Sequence, residues 1–245
     1  MLGLPDGITA CLFDMDGVIT QTAKVHDAAW KEMFDEFLRD WSKAHNEKFV
    51  PFDSGHDYGE YVDGKPREDG IESFLDSRGI KLPEGQASDK PGTQTVYGLG
   101  NRKNDLFLQV LKRDGVQPYE GSVHYLEAVR KAGLRTAIVS SSANTADVLK
   151  SAGVAGYFEV RIDYQAAAEH KLHGKPAPDT FLEAARELGV PAANAVVYED
   201  ALSGVAAGKA GHFGFVVGVD RVGQADQLRA HGADVVVKDL ADLLP

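Results

Sequence analysis

Cysteine is nearly absent: Cys11 is the single one in 245 residues. That excludes a disulfide framework and a thiolate metal centre, and its apolar neighbours mark it as a buried, inert thiol. A surplus of positive charge is also missing. Lysine and arginine number 26 against 37 aspartates and glutamates, a net charge of -11, so neither nucleic acid nor an anionic membrane meets the basic face it needs. Any phosphate-bearing ligand must be held by a local cluster. No apolar run approaches the ~18 residues of a membrane span, and no basic segment followed by an apolar one opens the chain. Internal repeats and low-complexity tracts are lacking too. These absences predict a soluble, cytoplasmic protein, acting as a monomer on a small molecule.

With 43% apolar residues the chain can bury a full core. Its most informative stretch is residues 8–20, ITACLFDMDGVIT. A short apolar run that stops at Asp14-Met15-Asp16-Gly17 reads as a strand buried on both faces, with two carboxylates at its end. At the period of an extended chain, Asp14 and Asp16 point to one side and Met15 to the other. Two anions so placed resist ionising unless a cation or donors lie between them, and Mg2+ suits carboxylate oxygens.

The pattern then turns helical, with Val25, Ala28, Ala29, Met33 and Phe37 on one face and Thr22 as a possible N-cap. From residue 40 to about 101 the sequence is rich in glycine, proline and charge. Helical pieces are expected at 68–77 and 101–112, with long loops at 51–64 and 82–100. Residues 20–115 therefore read as an inserted helical cap domain, and 1–19 with 116–245 as the core. Beyond residue 118 helices and strands alternate. Helices are expected at 123–132, 145–152, 178–188, 202–210 and 224–231, and strands at 134–139, 158–162, 195–198, 213–219 and 234–237. That rhythm predicts an α/β fold, a doubly wound, Rossmann-like parallel sheet with helices on both faces.

Ligands on such sheets bind beyond the carboxyl ends of the strands. Those ends carry Asp14 and Asp16, then Ser140, Ser141 and Ser142, then Glu199 and Asp200, with Lys175 in a loop. Singly each has a plainer explanation: Ser142 or Asn144 as helix caps, Lys175 as a solvated charge, Asp200 as the cap of the helix from Leu202. Together they are the parts of a phosphoryl-transfer site, which needs a nucleophile, a divalent cation and donors for phosphoryl oxygens. Asp14 can attack phosphorus, and Asp16 can protonate the leaving oxygen as a general acid and later act as base. Asp14, Asp200 and the Met15 or Asp16 backbone carbonyl can gather Mg2+, Glu199 can ligate through water or tune the shell, and Lys175 and Ser140 can hold phosphoryl oxygens. His170 and His173 have H-x-x-H spacing without a third ligand in sequence. Gly98-Leu99-Gly100 lacks the strand and third glycine of a dinucleotide site.

FDMDGVIT, IVSSS, GKPAPD and YEDALSG, in this order, resemble the four motifs of the haloacid dehalogenase-like hydrolase superfamily. Thr22, His26 and Trp30, then Gly64, Arg67-Glu68-Asp69 and Arg102-Lys103-Asn104-Asp105, resemble the cap of its β-phosphoglucomutase subfamily. The resemblance spans 8–20 and 118–240 in the core and is patchy in the cap. It implies that Asp14 is the nucleophile, Asp16 the acid/base, Ser140 and Lys175 the binders of the transferring phosphoryl group, and Asp14, Asp16 and Asp200, with Glu199 assisting, the residues that gather Mg2+. It also implies that His26 senses closure, that Arg67 grips the other phosphate, and that Lys103, Asn144, Gly64, Ser141 and Ser142 contact the substrate, a small phosphorylated sugar. Asp63 stands where the mutases carry lysine, Gly70 where they carry serine, and the loops at 41–60 and 82–100 are enlarged. A mutase and a phosphatase of phosphate monoesters both fit. A dehalogenase would need no acid at position 16 and no carboxylate pair at 199–200, and a non-catalytic phosphosugar-binding regulator would have no use for Asp14 and Asp16.

Overall fold

Strand β1 (Ala10–Phe13) is buried along its whole length, as an apolar run in the middle of a parallel sheet must be. In the computed structural model, which describes residues 2–245, it pairs in parallel with β2 (Arg135–Val139) on one side and β4 (Ala195–Glu199) on the other. The sheet is completed by β3 (Val160–Ile162), β5 (Phe215–Val219) and β6 (Val235–Val237), in the order β3-β2-β1-β4-β5-β6. The direction of winding reverses at the β1/β4 boundary, the switch point where such sheets bind ligands.

The crossover helices are α4 (Glu120–Lys131), α5 (Thr145–Ser151), α6 (Tyr164–His170), α7 (Asp179–Leu188), α8 (Leu202–Ala210) and α9 (Ala225–His231). Helix α7 shows how they are held: Phe181, Ala184, Ala185 and Leu188 form an apolar stripe buried with Leu12, Val139 and Val197. Gly189 ends it in the left-handed conformation. Helix α6 lies where no helix was expected. It is seven residues long with no buried side chain, so it lacks the periodicity that betrays a helix, and its one signal is Asp163, whose Oδ1 accepts from Ala166 N at 3.0 Å.

Contacts divide the chain into two units. Of the described residues, the first comprises those up to 22, 64–66 and 116–245. The expected boundary at residue 19/20 moves to 22 because Thr20 bridges to Pro118 and the Thr22 hydroxyl donates to Asp16; that hydroxyl serves the acidic loop as well as standing at a helix start. Residues 64–66 join this unit through Gly64, whose carbonyl accepts from Ser141 Oγ at 2.7 Å.

The second unit, residues 23–63 and 67–115, is built on α1 (Ala23–His45), α2 (Arg67–Ser77) and α3 (Val96–Asp114). Its core is aromatic, with Trp30, Phe34 and Phe52 stacked in succession and Phe74 meeting Phe52 edge to face. Helix α3 begins five residues before the expected 101, since Thr95 accepts from Gly98 N at 2.9 Å and caps a first turn that its glycines disguise. The expected loop at 51–64 contains a π-helical turn, Tyr58–Val62.

Candidate active site

Because β1, β2 and β4 are in register, Phe13 lies between Ile138 and Tyr198, and the residues that follow emerge at one rim. Asp14 is held there by its N–H, which donates to Tyr198 O at 2.9 Å. Met15 turns into the core and is fully buried. Asp16 lies close enough for its charge to act on Asp14, and its Oδ1 accepts from the Thr22 hydroxyl.

Lys175 enters this rim from the loop before α7. It is no solvated charge: only 2% of it is exposed. Its Nζ donates to Asp14 Oδ1 at 2.5 Å and to Val139 O at 3.3 Å, and lies 2.6 Å from Glu199 Oε1. Burial works against its charge, but the carboxylates of Asp14 and Glu199 outweigh burial and hold its pKa above the usual lysine range. Asp14 shifts upward as well: burial is the main cause, and Glu199 and Asp16 add to it against the opposing pull of Lys175.

One ammonium therefore faces more carboxylate than it can neutralise. Asp14, Glu199 and Asp200 each offer an oxygen within 4.8 Å of the others, all three residues buried. Hard oxygen donors at this spacing, carrying uncompensated negative charge, match the needs of a divalent cation such as Mg2+.

Two glycines make room for these acids; the sequence marks Gly17 as a turn residue but gives no sign of what Gly204 does. A β-carbon at Gly17, where φ is +82°, would fall 1.7 Å from Asp200 Oδ2, and one at Gly204 would fall 1.8 Å from Glu199 Oε1. Glu199 also accepts from Ala201 N at 3.0 Å through Oε2. The start of α8 is thus supported by Glu199, with no side-chain cap from its own N-terminal residue.

Ser140 is buried at the end of β2, its N–H bonded to Ile162 O at 3.0 Å and its Oγ accepting from Ser142 N at 3.1 Å. Ser142 Oγ accepts from Asn144 N at 3.2 Å, so the serines brace the β2–α5 turn. The structure thus brings Asp14, Asp16, Ser140, Lys175, Glu199 and Asp200 to the carboxyl ends of neighbouring strands. Ser141, Ser142 and Asn144 follow β2 in the same unit, and Gly64 joins them through Ser141.

His26, Arg67 and Lys103 belong to the second unit. Lys103, 6% exposed, sits over Trp30 with Nζ 4.7 Å from the ring centroid, and its Nζ is 2.6 Å from His26 Nδ1. A lysine so close donates to an unprotonated Nδ1. His26 stacks on Phe107 at 4.2 Å. Arg67 packs beside Gly100, one turn before Lys103, and forks onto Glu68 Oε1 at 3.0 and 3.1 Å.

His170 and His173 do not pair. His170 meets Glu183 and Glu187 across α6 and α7, with Nδ1 2.8 Å from Glu183 Oε1, and Arg186 also holds that carboxylate.

The sequence profile of the haloacid dehalogenase-like hydrolases matches residues 8–212. The chain belongs to that family. It is similar to a Mycobacterium bovis protein named beta-phosphoglucomutase, 57% identical over all of this chain and 94% of that protein's length. A Bacillus subtilis beta-phosphoglucomutase is 31% identical over 96% of this chain and 91% of its own. Among solved structures, the beta-phosphoglucomutase of Clostridium difficile superposes with a TM-score of 0.73 at 25% identity, covering 96% of this chain and 93% of that one. This chain is accordingly an enzyme of the haloacid dehalogenase-like phosphotransferase and hydrolase type. Among the described residues no helix is long and apolar enough to cross a membrane.

Proposed function

We propose that this enzyme is a Mg2+-dependent β-phosphoglucomutase, moving a phosphoryl group between the 1- and 6-oxygens of glucose through an aspartyl phosphate on Asp14. The observation that carries the reading is the buried Lys175 ammonium, 2.5 Å from Asp14 Oδ1 and 2.6 Å from Glu199 Oε1, next to Asp200. The 57% identity to the mycobacterial mutase, over the full chain, supports the choice of substrate.

Asp14, Asp200, Glu199 and the Asp16 segment would hold Mg2+, which when bound neutralises the acids and the phosphoryl oxygens. An Asp14 carboxylate oxygen attacks phosphorus while the bond from phosphorus to the leaving oxygen breaks, and Asp16 gives its proton to that oxygen. Lys175 and Ser140 carry the charge of the transferring group. In the second half a sugar hydroxyl attacks phosphorus, its proton passes to Asp16, and the Asp14 carboxylate is restored. On this reading His26, Arg67 and Lys103 serve sugar and distal phosphate, with Gly64, Ser141, Ser142 and Asn144 at the rim. The Lys103–His26 pair, with the ammonium over the Trp30 ring, supports this by presenting a positioned cation in the second unit.

Asp63 and Gly70, which depart from the mutase pattern, favour a second reading in which water takes the phosphoryl group and the enzyme is a sugar phosphatase. Purified protein with Mg2+, β-glucose 1-phosphate and a priming amount of β-glucose 1,6-bisphosphate separates the two in a coupled assay. The mutase reading predicts glucose 6-phosphate. Inorganic phosphate as the sole product replaces it with the phosphatase.

A further inference from the structure

Two side chains outside the acidic rim reach the backbone of the two loops that carry it. Both come from the turn between β5 and α9. Arg221 Nε donates to Gly17 O at 2.7 Å, and Gln224 Nε2 donates to Asp200 O at 2.9 Å. The two acceptors belong to the residues that touch each other at the site: the Asp200 carboxylate lies against the bare Cα of Gly17.

The turn itself is fixed. Asp220 Oδ1 accepts from Gly223 N and Gln224 N, both at 2.7 Å, which sets where Gln224 points its amide. Arg221 is anchored on three further sides. Its Nη1 donates to Lys238 O at 2.8 Å and Asp239 Oδ2 at 3.0 Å, and its guanidinium lies 3.6 Å from the centroid of the Tyr119 ring. Nη2 is buried with no acceptor among the described residues. Of the bonds that this partly buried arginine makes, the one to Gly17 O reaches the acidic loop.

We infer that Arg221 and Gln224 are positioning residues for the divalent cation, setting the spacing of the Asp14–Gly17 loop against Asp200 through the two backbone carbonyls. The inference rests on the Mg2+ reading above. Mg2+ demands near-ideal octahedral ligands at short range, whereas Ca2+ tolerates irregular shells. Freeing the Gly17 carbonyl, at a residue whose backbone is already in the left-handed region, lets the loop rotate away from Asp200. The loss should therefore fall on Mg2+ affinity and on preference for Mg2+ over Ca2+, which a general loss of stability would not alter.

The test is calorimetric titration of the full-length, chelator-treated protein with Mg2+ and separately with Ca2+. The variants are Arg221→Ala, Arg221→Lys and Gln224→Ala, with Arg229→Ala on exposed α9 as a charge control. Arg221→Ala and Gln224→Ala should each weaken Mg2+ binding by about 10- to 100-fold, the usual effect of losing an outer-sphere partner. Ca2+ binding should weaken less, Arg221→Lys should fall between, and Arg229→Ala should match the parent. Unchanged Mg2+ affinity in Gln224→Ala and Arg221→Lys overturns the inference, even where Arg221→Ala fails to fold. Equal losses for Mg2+ and Ca2+ overturn it as well. Failure of the parent protein to bind Mg2+ overturns the metal reading instead.

Discussion

Lys175 shows how much one buried side chain can decide. In the sequence it is a lysine in a Gly-Lys-Pro loop, and loop lysines are usually solvated. Buried between Asp14 and Glu199 it becomes a fixed charge, since a lysine without partners at that depth would shed its proton. Cys11, three residues before Asp14, is the opposite case. Its burial, partly offset by a hydrogen bond with Tyr198, pushes the thiol up to about 12. Between its ordinary value of 9.0 and about 12 the unfolded chain loses the thiol proton that the folded chain keeps, so stability is full below the lower value and falls as pH rises through that window. The accompanying expectation is that Cys11 does not react with a disulfide reagent at about pH 8.5 in the native protein and reacts at once in denaturant. Prompt modification of the native protein would mean that the strand is not buried as described.

Among elements, the β1–α1 loop is the one on which the site turns. A side chain at Gly17 would meet both a φ of +82° and the Asp200 carboxylate at 1.7 Å. Gly17→Ala should cost about 1–3 kcal/mol, lowering Tm by several degrees in a thermal melt; an unshifted melt would show that the loop has another arrangement open to it. The core strands were legible in the sequence because strands buried on both faces leave uninterrupted apolar runs, as in residues 8–13 and 195–198. Helix α6 was not, because with no buried residue it writes no pattern. The first turn of α3 was hidden by Gly98 and Gly100, read there as loop. Asp14, Lys175 and the Glu199-Asp200 pair were legible because strand-end chemistry recurs in a fixed order. Gly204, Arg221 and Gln224 were not, because they act on backbone atoms or by making space, and neither leaves a spacing in sequence.

At the scale of the whole molecule, a chain of net charge -11 buries single ammonium groups at chosen places, which on the proposed reading are where phosphate is met. In the first unit that is Lys175, buried among acids, and in the second it is Lys103, buried over Trp30. Excess acid elsewhere then weakens adventitious anion binding and leaves the local cluster to select the ligand. The central claim is that Asp14 takes up phosphorus covalently. The most direct measurement mixes the protein with Mg2+ and β-glucose 1,6-bisphosphate, traps with borohydride, and sequences the digest by mass spectrometry. An acyl phosphate at Asp14 is reduced to homoserine, and the account predicts homoserine at position 14, absent from an Asp14→Asn control. An unmodified Asp14 under turnover, or homoserine at any other aspartate, would contradict it.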